Sequence, residues 1–358
     1  MNVPTHPSAT ALHSQVAIVG AGPIGIELAV ALKRANLTFQ IFDAGSVGQT
    51  ISWWAPQTRW FSSNERIAIC GVPLTTLDQA KATREQYLNY LCSVAQQFDL
   101  QIHSYSPVTK IQSAGDRFAV TANPVGGPEV YSAESVVLAI GGTDFPRKLK
   151  IEGEDLPHVD GYLREPHRYF GRRVLIIGGR NSAIEAALRL HHAGAQVSLS
   201  YRGSELPEDG IKYWLLPEIK GLLKAGRIAN WVGTTVQQIL PGAVRLRSVH
   251  DGSITQVAAD DVLTLIGYEQ DKTLLRSAGV QLTGPTDRPV YDEQTMQTNV
   301  PGIYVAGTAT AGTQTSKYKT FLENCHSHVD KIVTHLTGDS AAGVSRAYED
   351  QITAQPES

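Results

Sequence analysis

The chain has 358 residues, 42% of them hydrophobic and 18% charged, and a formal net charge of −3. That length predicts two domains of about 150 residues, and the lack of a basic block argues against nucleic acid as a partner. No apolar run approaches the ~20 residues that cross a bilayer. The three cysteines, Cys70, Cys92 and Cys325, form neither a disulfide framework nor a C-x-x-C, which suits a reducing cytoplasm. Residues 1–13 have no apolar segment of the signal-peptide kind and read as a loose tail.

The first element, residues 16–29 (VAIVGAGPIGIELA), is an apolar strand, a glycine turn and the start of a helix. Gly20, Gly22 and Gly25 stand in G-x-G-x-x-G spacing, with Pro23 and Ile24 between them. In such a turn the first glycine permits the bend, the second exposes backbone to a pyrophosphate, and the third lets helix and strand pack closely. The helix N-terminus then faces the anion. A second strand, 39–42, ends at Asp43, close to the ~20-residue spacing at which an acid takes ribose hydroxyls.

Residues 45–64 form a long loop rich in Trp, Ser and Pro, which marks it as functional. Thr76 and Gln79 read as a capping box that opens an amphipathic helix through Phe98, with Cys92 as a small core residue. Residues 108–130 read as an antiparallel meander, and 135–140 as a buried strand running into Gly141-Gly142. The opening pattern then recurs: strand 174–177, turn Gly178-Gly179-Arg180-Asn181-Ser182-Ala183, helix 184–192, strand 196–200. No acid ends that second strand. Arg202 stands there instead and suits a 2′-phosphate, pointing to NADP over NAD. A strand over 261–266 closes on Gly267, TNVPGIYVAG (298–307) gives a turn, a strand and Gly307 followed by Thr308, and residues 315–336 read as a helix. Metal sites are not expected, because His191 and His192 are neighbours, and His326 and His328 diverge by about 200° on a helix.

Two such motifs, the meander, the strand-end glycines and TNVPGIYVAG resemble the two-domain flavin disulfide reductases of the thioredoxin reductase class. QTRWFSSNE (57–65), GGRNSAIEAAL (178–188), YRG (201–203), IKYWLLPEI (211–219) and FLENCHSH (321–328) narrow the resemblance to the bacillithiol-disulfide reductase family. The resemblance covers roughly residues 14 to 340. It implies an α/β fold of two Rossmann-like dinucleotide-binding domains of three-layer ββα type, an FAD domain carrying the meander and an inserted NADPH domain. The expected boundaries are 1–145 and 268–340 for the FAD domain, 146–267 for the NADPH domain, and 341–358 as a tail. FAD falls to Gly20, Gly22, Pro23, Ile24, Gly25, Asp43, Gly141, Gly307 and Thr308. NADPH falls to Gly178, Gly179, Arg180, Asn181, Ser182, Arg202 and Gly267. Two departures stand out: no C-x-x-C precedes the second turn, and Ile24 replaces the cysteine that many members carry in the first.

The expected reaction is hydride transfer from NADPH to FAD, then electron transfer to a small disulfide or other acceptor, in a homodimer without nucleic-acid or membrane partners. The alternatives are a flavin monooxygenase, a ferredoxin- or quinone-type NADPH reductase, and a slow redox-sensing flavoprotein. A monooxygenase would carry F-x-G-x-x-x-H between the turns, but Glu165 holds the His position. The helix over 315–336 would aim its N-terminus at the flavin, with Lys317 and Lys319 adding charge. The catalytic candidates are Cys325, Lys319, Ser62 and Ser63. Cys325 is expected more than two turns into that helix, and electrons are expected to pass directly to an acceptor near residues 53–63.

Overall fold

The structure, a computed structural model, describes residues 13–313 and 320–339. They divide into two compact units. The first comprises 13–52, Ser62–Asp144 and 270–339; the second comprises Trp53–Phe61 and Phe145–Glu269. Among the described residues no helix is long and apolar enough to cross a membrane.

The first unit is built on one sheet. Ile102–His103, Phe39–Phe42, His13–Val19, Glu129–Leu138 and Ile303–Val305 lie side by side and parallel. Val19 is level with both Phe42 and Leu138, and Leu138 with Val305. Four strands therefore end together, which gathers the residues that follow them. The other half of Glu129–Leu138 pairs antiparallel with Arg117–Ala122, which pairs with Val108–Ala114. The meander and the buried strand expected at 135–140 thus share one continuous strand. Phe42, Val136, Leu138, Leu275 and Ile303 meet in the core of this unit.

The Pro23–Arg34 helix is buried from Ile24 through Leu32. A helix apolar on every side must lie inside the fold, and its one buried charge, Glu27, is paired with His326. The Arg84–Gln97 helix does not start at Thr76. Its N-cap is Thr83, whose hydroxyl accepts from Gln86 N (3.3 Å) while Gln86 Oε1 accepts from Thr83 N (2.8 Å). Cys92 lies on the exposed face of this helix, not in the core. The last described helix is His326–Thr337, preceded by a 3-10 turn at Leu322–Asn324, so it starts well after residue 315.

The second unit has a wholly parallel sheet, in order Ala229–Val232, Gln196–Tyr201, Arg173–Ile177, Asp261–Thr264, Val159–Asp160. Its central strands, Arg173–Ile177 and Asp261–Thr264, are buried after their first residue, as coverage on both faces requires. Ile176, Ile184, Leu188, Leu199 and Ile219 pack on one side; Leu175, Ile177, Val244 and Leu246 pack on the other. The second group includes an antiparallel sheet, Thr234–Leu240, Ala243–Ser248 and Ile254–Ala258.

Candidate dinucleotide sites

In the first unit the glycine turn sits where the strands end. Gly20 N donates to Phe42 O (2.7 Å) at φ +111, and a Cβ there would lie 2.3 Å from Ala139 O. A Cβ on Gly25 would lie 1.9 Å from Gly20 O, so helix and turn touch backbone to backbone. Gly22 is different. It is the helix N-cap in ordinary extended conformation, and a Cβ there would meet nothing within 4 Å. Nothing in the protein demands glycine at that position, and the open space is the cradle a pyrophosphate would fill. Pro23 takes the first helical turn, where its missing N–H costs nothing.

Asp43 holds this turn together. Its Oδ2 accepts from Ala21 N (2.7 Å) and its Oδ1 from Gly45 N (2.8 Å). Burial raises its pKa, and those two N–H donors act against the rise. A carboxylate offers about four lone-pair sites, so two remain for ribose hydroxyls. Ile24 is buried, and a Cβ on Gly307 would lie 3.4 Å from its Cβ. A Cβ on Gly142 would lie 3.0 Å from Thr308 O. The structure therefore brings Gly20–Gly25, Asp43, Gly141-Gly142 and Gly307-Thr308 to one edge of the sheet. The 3-10 segment Gly307–Ala311 begins with Gly307 N donating to His328 Nδ1 (3.2 Å).

The second unit repeats the plan with one change. Gly178 N donates to Ser200 O (2.9 Å) at φ +145. A Cβ on Gly179 would lie 2.5 Å from the Tyr201 ring, which closes over that residue. Arg180 occupies the helix N-cap that Gly22 holds in the first unit, again extended, and it is exposed. Asn181 and Ser182 open the Asn181–His192 helix. Arg202 is exposed just beyond the strand Gln196–Tyr201, and neither it nor Arg180 has a hydrogen-bond or ion-pair partner among the described residues. Gly267 is at φ +103 beside Arg147, whose N donates to Gly267 O (3.0 Å).

Sequence reasoning missed the residues that brace these helices. Glu27 and Glu185 occupy the same place in the two helices, and both are matched by a partner from elsewhere in the chain. His326 Nδ1 meets Glu27 Oε2 (2.8 Å) and its Nε2 meets Arg66 O (2.9 Å). Lys212, itself buried, donates to Glu185 Oε2 (3.0 Å) and Arg59 O (3.3 Å), and its backbone N donates to Asn181 Oδ1 (2.6 Å). Arg189 donates to Thr58 Oγ1 (3.0 Å) and Pro56 O. Residues 56–59 are thus fastened to the second helix. The signal in the sequence was a glutamate at the same place in both glycine motifs.

The catalytic candidates fare unevenly. Ser62 is buried, and its hydroxyl donates to Glu323 Oε1 (2.9 Å), a structural tie. Ser63 is the N-cap residue of the short Asn64–Ile67 helix. Lys317 and Lys319 lie outside the described residues. Cys325 is not two turns inside a helix but is the N-cap residue of His326–Thr337, fully buried, with Sγ 3.0 Å from Phe321 O. Burial pushes its thiol far above the usual range, with Glu323 and Glu27 adding to the rise. A helix N-terminus favours thiolate, but here desolvation outweighs it. No disulfide joins the three cysteines among the described residues.

The family model described as "Pyridine nucleotide-disulphide oxidoreductase" matches residues 17–307. Bacilliredoxin reductase Bdr of Bacillus subtilis (strain 168) is 32% identical over 326 residues, 91% of this chain and 98% of that protein. The structure of bacillithiol disulfide reductase Bdr from Bacillus cereus superposes with a TM-score of 0.85 at 33% identity, covering 91% of this chain and 99% of the other. The Staphylococcus aureus structure gives 0.85 at 31%, with the same coverage. Extended over nine-tenths of its length by these relatives, the chain belongs to the pyridine nucleotide-disulphide oxidoreductases, beside their bacilliredoxin reductases.

Proposed function

We propose that this protein is a cytoplasmic, dimeric reductase that takes a hydride from NADPH and delivers the electron pair to a small disulfide of the bacillithiol type. As a member of its family the chain is an FAD-dependent NADPH oxidoreductase. FAD supplies the hydride acceptor and the two-electron store between NADPH and disulfide. The first-unit residues fit it: the open space at Gly22 and the helix behind Pro23 suit the pyrophosphate, and Asp43 the ribose. Gly141, Gly307 and Thr308 supply backbone at the same edge. In the second unit Arg180, Asn181 and Ser182 take the NADPH pyrophosphate, Arg202 the 2′-phosphate, and Gly178, Gly179 and Gly267 form the backbone around it. The net reaction consumes NADPH, one proton and one disulfide and yields NADP and two thiols.

The observation that carries this reading is the contrast between Gly22 and Arg180. Both are extended N-cap residues of helices built alike, yet one is bare and the other bears a guanidinium free of any partner in the described residues. The two turns are therefore cut for different ligands. Purified protein should be yellow, and Gly22→Leu should leave it colourless by filling the pyrophosphate's place. The acceptor is tested by NADPH oxidation against bacillithiol disulfide, other low-mass disulfides, thioredoxin, ferredoxin, quinones and oxygen. Turnover with ferredoxin or oxygen alone would overturn the disulfide assignment.

A further inference from the structure

Gln270 is the first residue of the first unit after the chain returns from the second. It is only 5% exposed, unusual for an uncharged amide carrying two donors and an acceptor. Its Nε2 donates to Gly141 O (2.8 Å) and to Ala309 O (3.2 Å). Those carbonyls lie on the two backbone segments assigned above to FAD. The sheet ladder between the two segments ends at Ala306 N–Leu138 O (3.0 Å). Beyond it they approach as bare backbone, since a Cβ on Gly142 would lie 3.0 Å from Thr308 O. The carboxamide of Gln270 spans them there.

The amide orientation is fixed by this arrangement, because a flipped group would set its oxygen against two carbonyl oxygens. As a result Gln270 Oε1 is buried with no partner among the described residues. A buried acceptor left unpaired is unfavourable, so the side chain is positioned for its donors. The next two residues tie the same segments. Asp271 N donates to Asp144 Oδ2 (2.7 Å), and Lys272 Nζ donates to Thr313 Oγ1 (2.8 Å) and Asp287 Oδ2 (3.1 Å).

We infer that Gln270 is a positioning residue for FAD, bridging the carbonyls of Gly141 and Ala309 and so setting the spacing of the two turns assigned to FAD. The inference rests on the FAD assignment above. Two variants test it. Gln270→Met keeps length and loses both donors. Gln270→Glu keeps shape and has a donor only when its carboxyl is protonated. FAD affinity and the flavin's visible spectrum are measured on reconstituted protein, and the thermal midpoint on FAD-free protein. Gln270→Met should bind FAD about tenfold more weakly, the worth of about one hydrogen bond, with displaced flavin bands. Gln270→Glu should regain affinity relative to wild type as pH falls from 8 to 5, any change from Asp144, whose Oδ2 accepts from Asp271 N, being common to both. Even a Gln270→Met protein too unstable to assay leaves that pH profile to decide. Wild-type affinity and spectrum in both variants, with only the FAD-free midpoint lowered, would reduce Gln270 to a structural residue and overturn the inference. A wild type that cannot be loaded with FAD would overturn the FAD assignment itself, and this inference with it.

Discussion

Arg202 and Asp144 each turn a local environment into a measurable preference. Arg202 has no partner in the described residues, and no acid stands at its strand end to take a free ribose 2′-hydroxyl. A charge-assisted bond to a 2′-phosphate is worth about 1.5–3 kcal/mol, on the order of 10- to 100-fold in affinity. Arg202→Ala should lose that much in kcat/KM for NADPH and leave NADH almost unchanged; equal use of both by wild type would refute the role. Asp144 could not be singled out from sequence, because its environment depends on Asp271, far along the chain. Burial pushes its carboxyl up to about 6 from an ordinary 3.8, with the Asp271 N–H opposing and the Asp271 charge reinforcing the rise. The folded state thus holds this proton more tightly than the unfolded state. The resulting stabilisation is full below pH 3.8 and lost as pH rises through 6. Asn keeps the acceptor for Asp271 N without the charge. Asp144→Asn should therefore be more stable than wild type at pH 7.5, by about 1–2 kcal/mol after allowing for partial exposure, and equal to it only near pH 3, below the ordinary carboxyl range. Denaturant midpoints at the two pH values measure this.

Helix ends were the least legible elements. Two T-x-x-Q patterns stand seven positions apart, and only the second caps a helix. Thr76 Oγ1 instead donates to Ala80 O (2.7 Å), and Gln79 sits at φ +54, a conformation that no helix continues through. Threonine hydroxyls compete for backbone in this way wherever a turn is available. Thr83→Ala should cost about 1 kcal/mol, read from the denaturation midpoint, and Thr76→Ala clearly less; the reverse order would put the helix start back at Thr76. The glycine motifs were legible because their constraints are local: a strand, a φ only glycine tolerates at Gly20 and Gly178, and a helix. The bracing of those helices was not. Glu27 meets His326 and Glu185 meets Lys212 through pairings set by the whole fold, and a glutamate in an apolar helix does not reveal its partner.

Over the whole molecule, the chain passes into the second unit twice, first as Trp53–Phe61 and then as Phe145–Glu269. The first excursion was unreadable in sequence, since it depends on Arg189 and Lys212, more than a hundred residues away. The number and spacing of the thiols were readable, but their places were not: Cys92 was expected in the core and is exposed, and Cys325 was expected deep in a helix and is its N-cap residue. A dithiol relay needs two cysteines within bonding distance, and no disulfide joins any two of the three cysteines among the described residues. Cys70 and Cys325 are buried, and Cys92 is exposed on the Arg84–Gln97 helix. Cys325 is the one at a helix N-terminus, but its burial holds it as a thiol at neutral pH, and the thiolate is the nucleophile. Ile24, buried and not a cysteine, fills the first glycine turn. We therefore expect electrons to pass directly to the acceptor. Replacing Cys70, Cys92 and Cys325 together by alanine or serine should leave both flavin reduction by NADPH and disulfide turnover within a few fold of wild type. Single-turnover and steady-state measurements on the same FAD-loaded protein separate the two halves. If reduction by NADPH is normal and turnover is abolished, a protein thiol carries the second half-reaction, and restoring the cysteines one at a time identifies it.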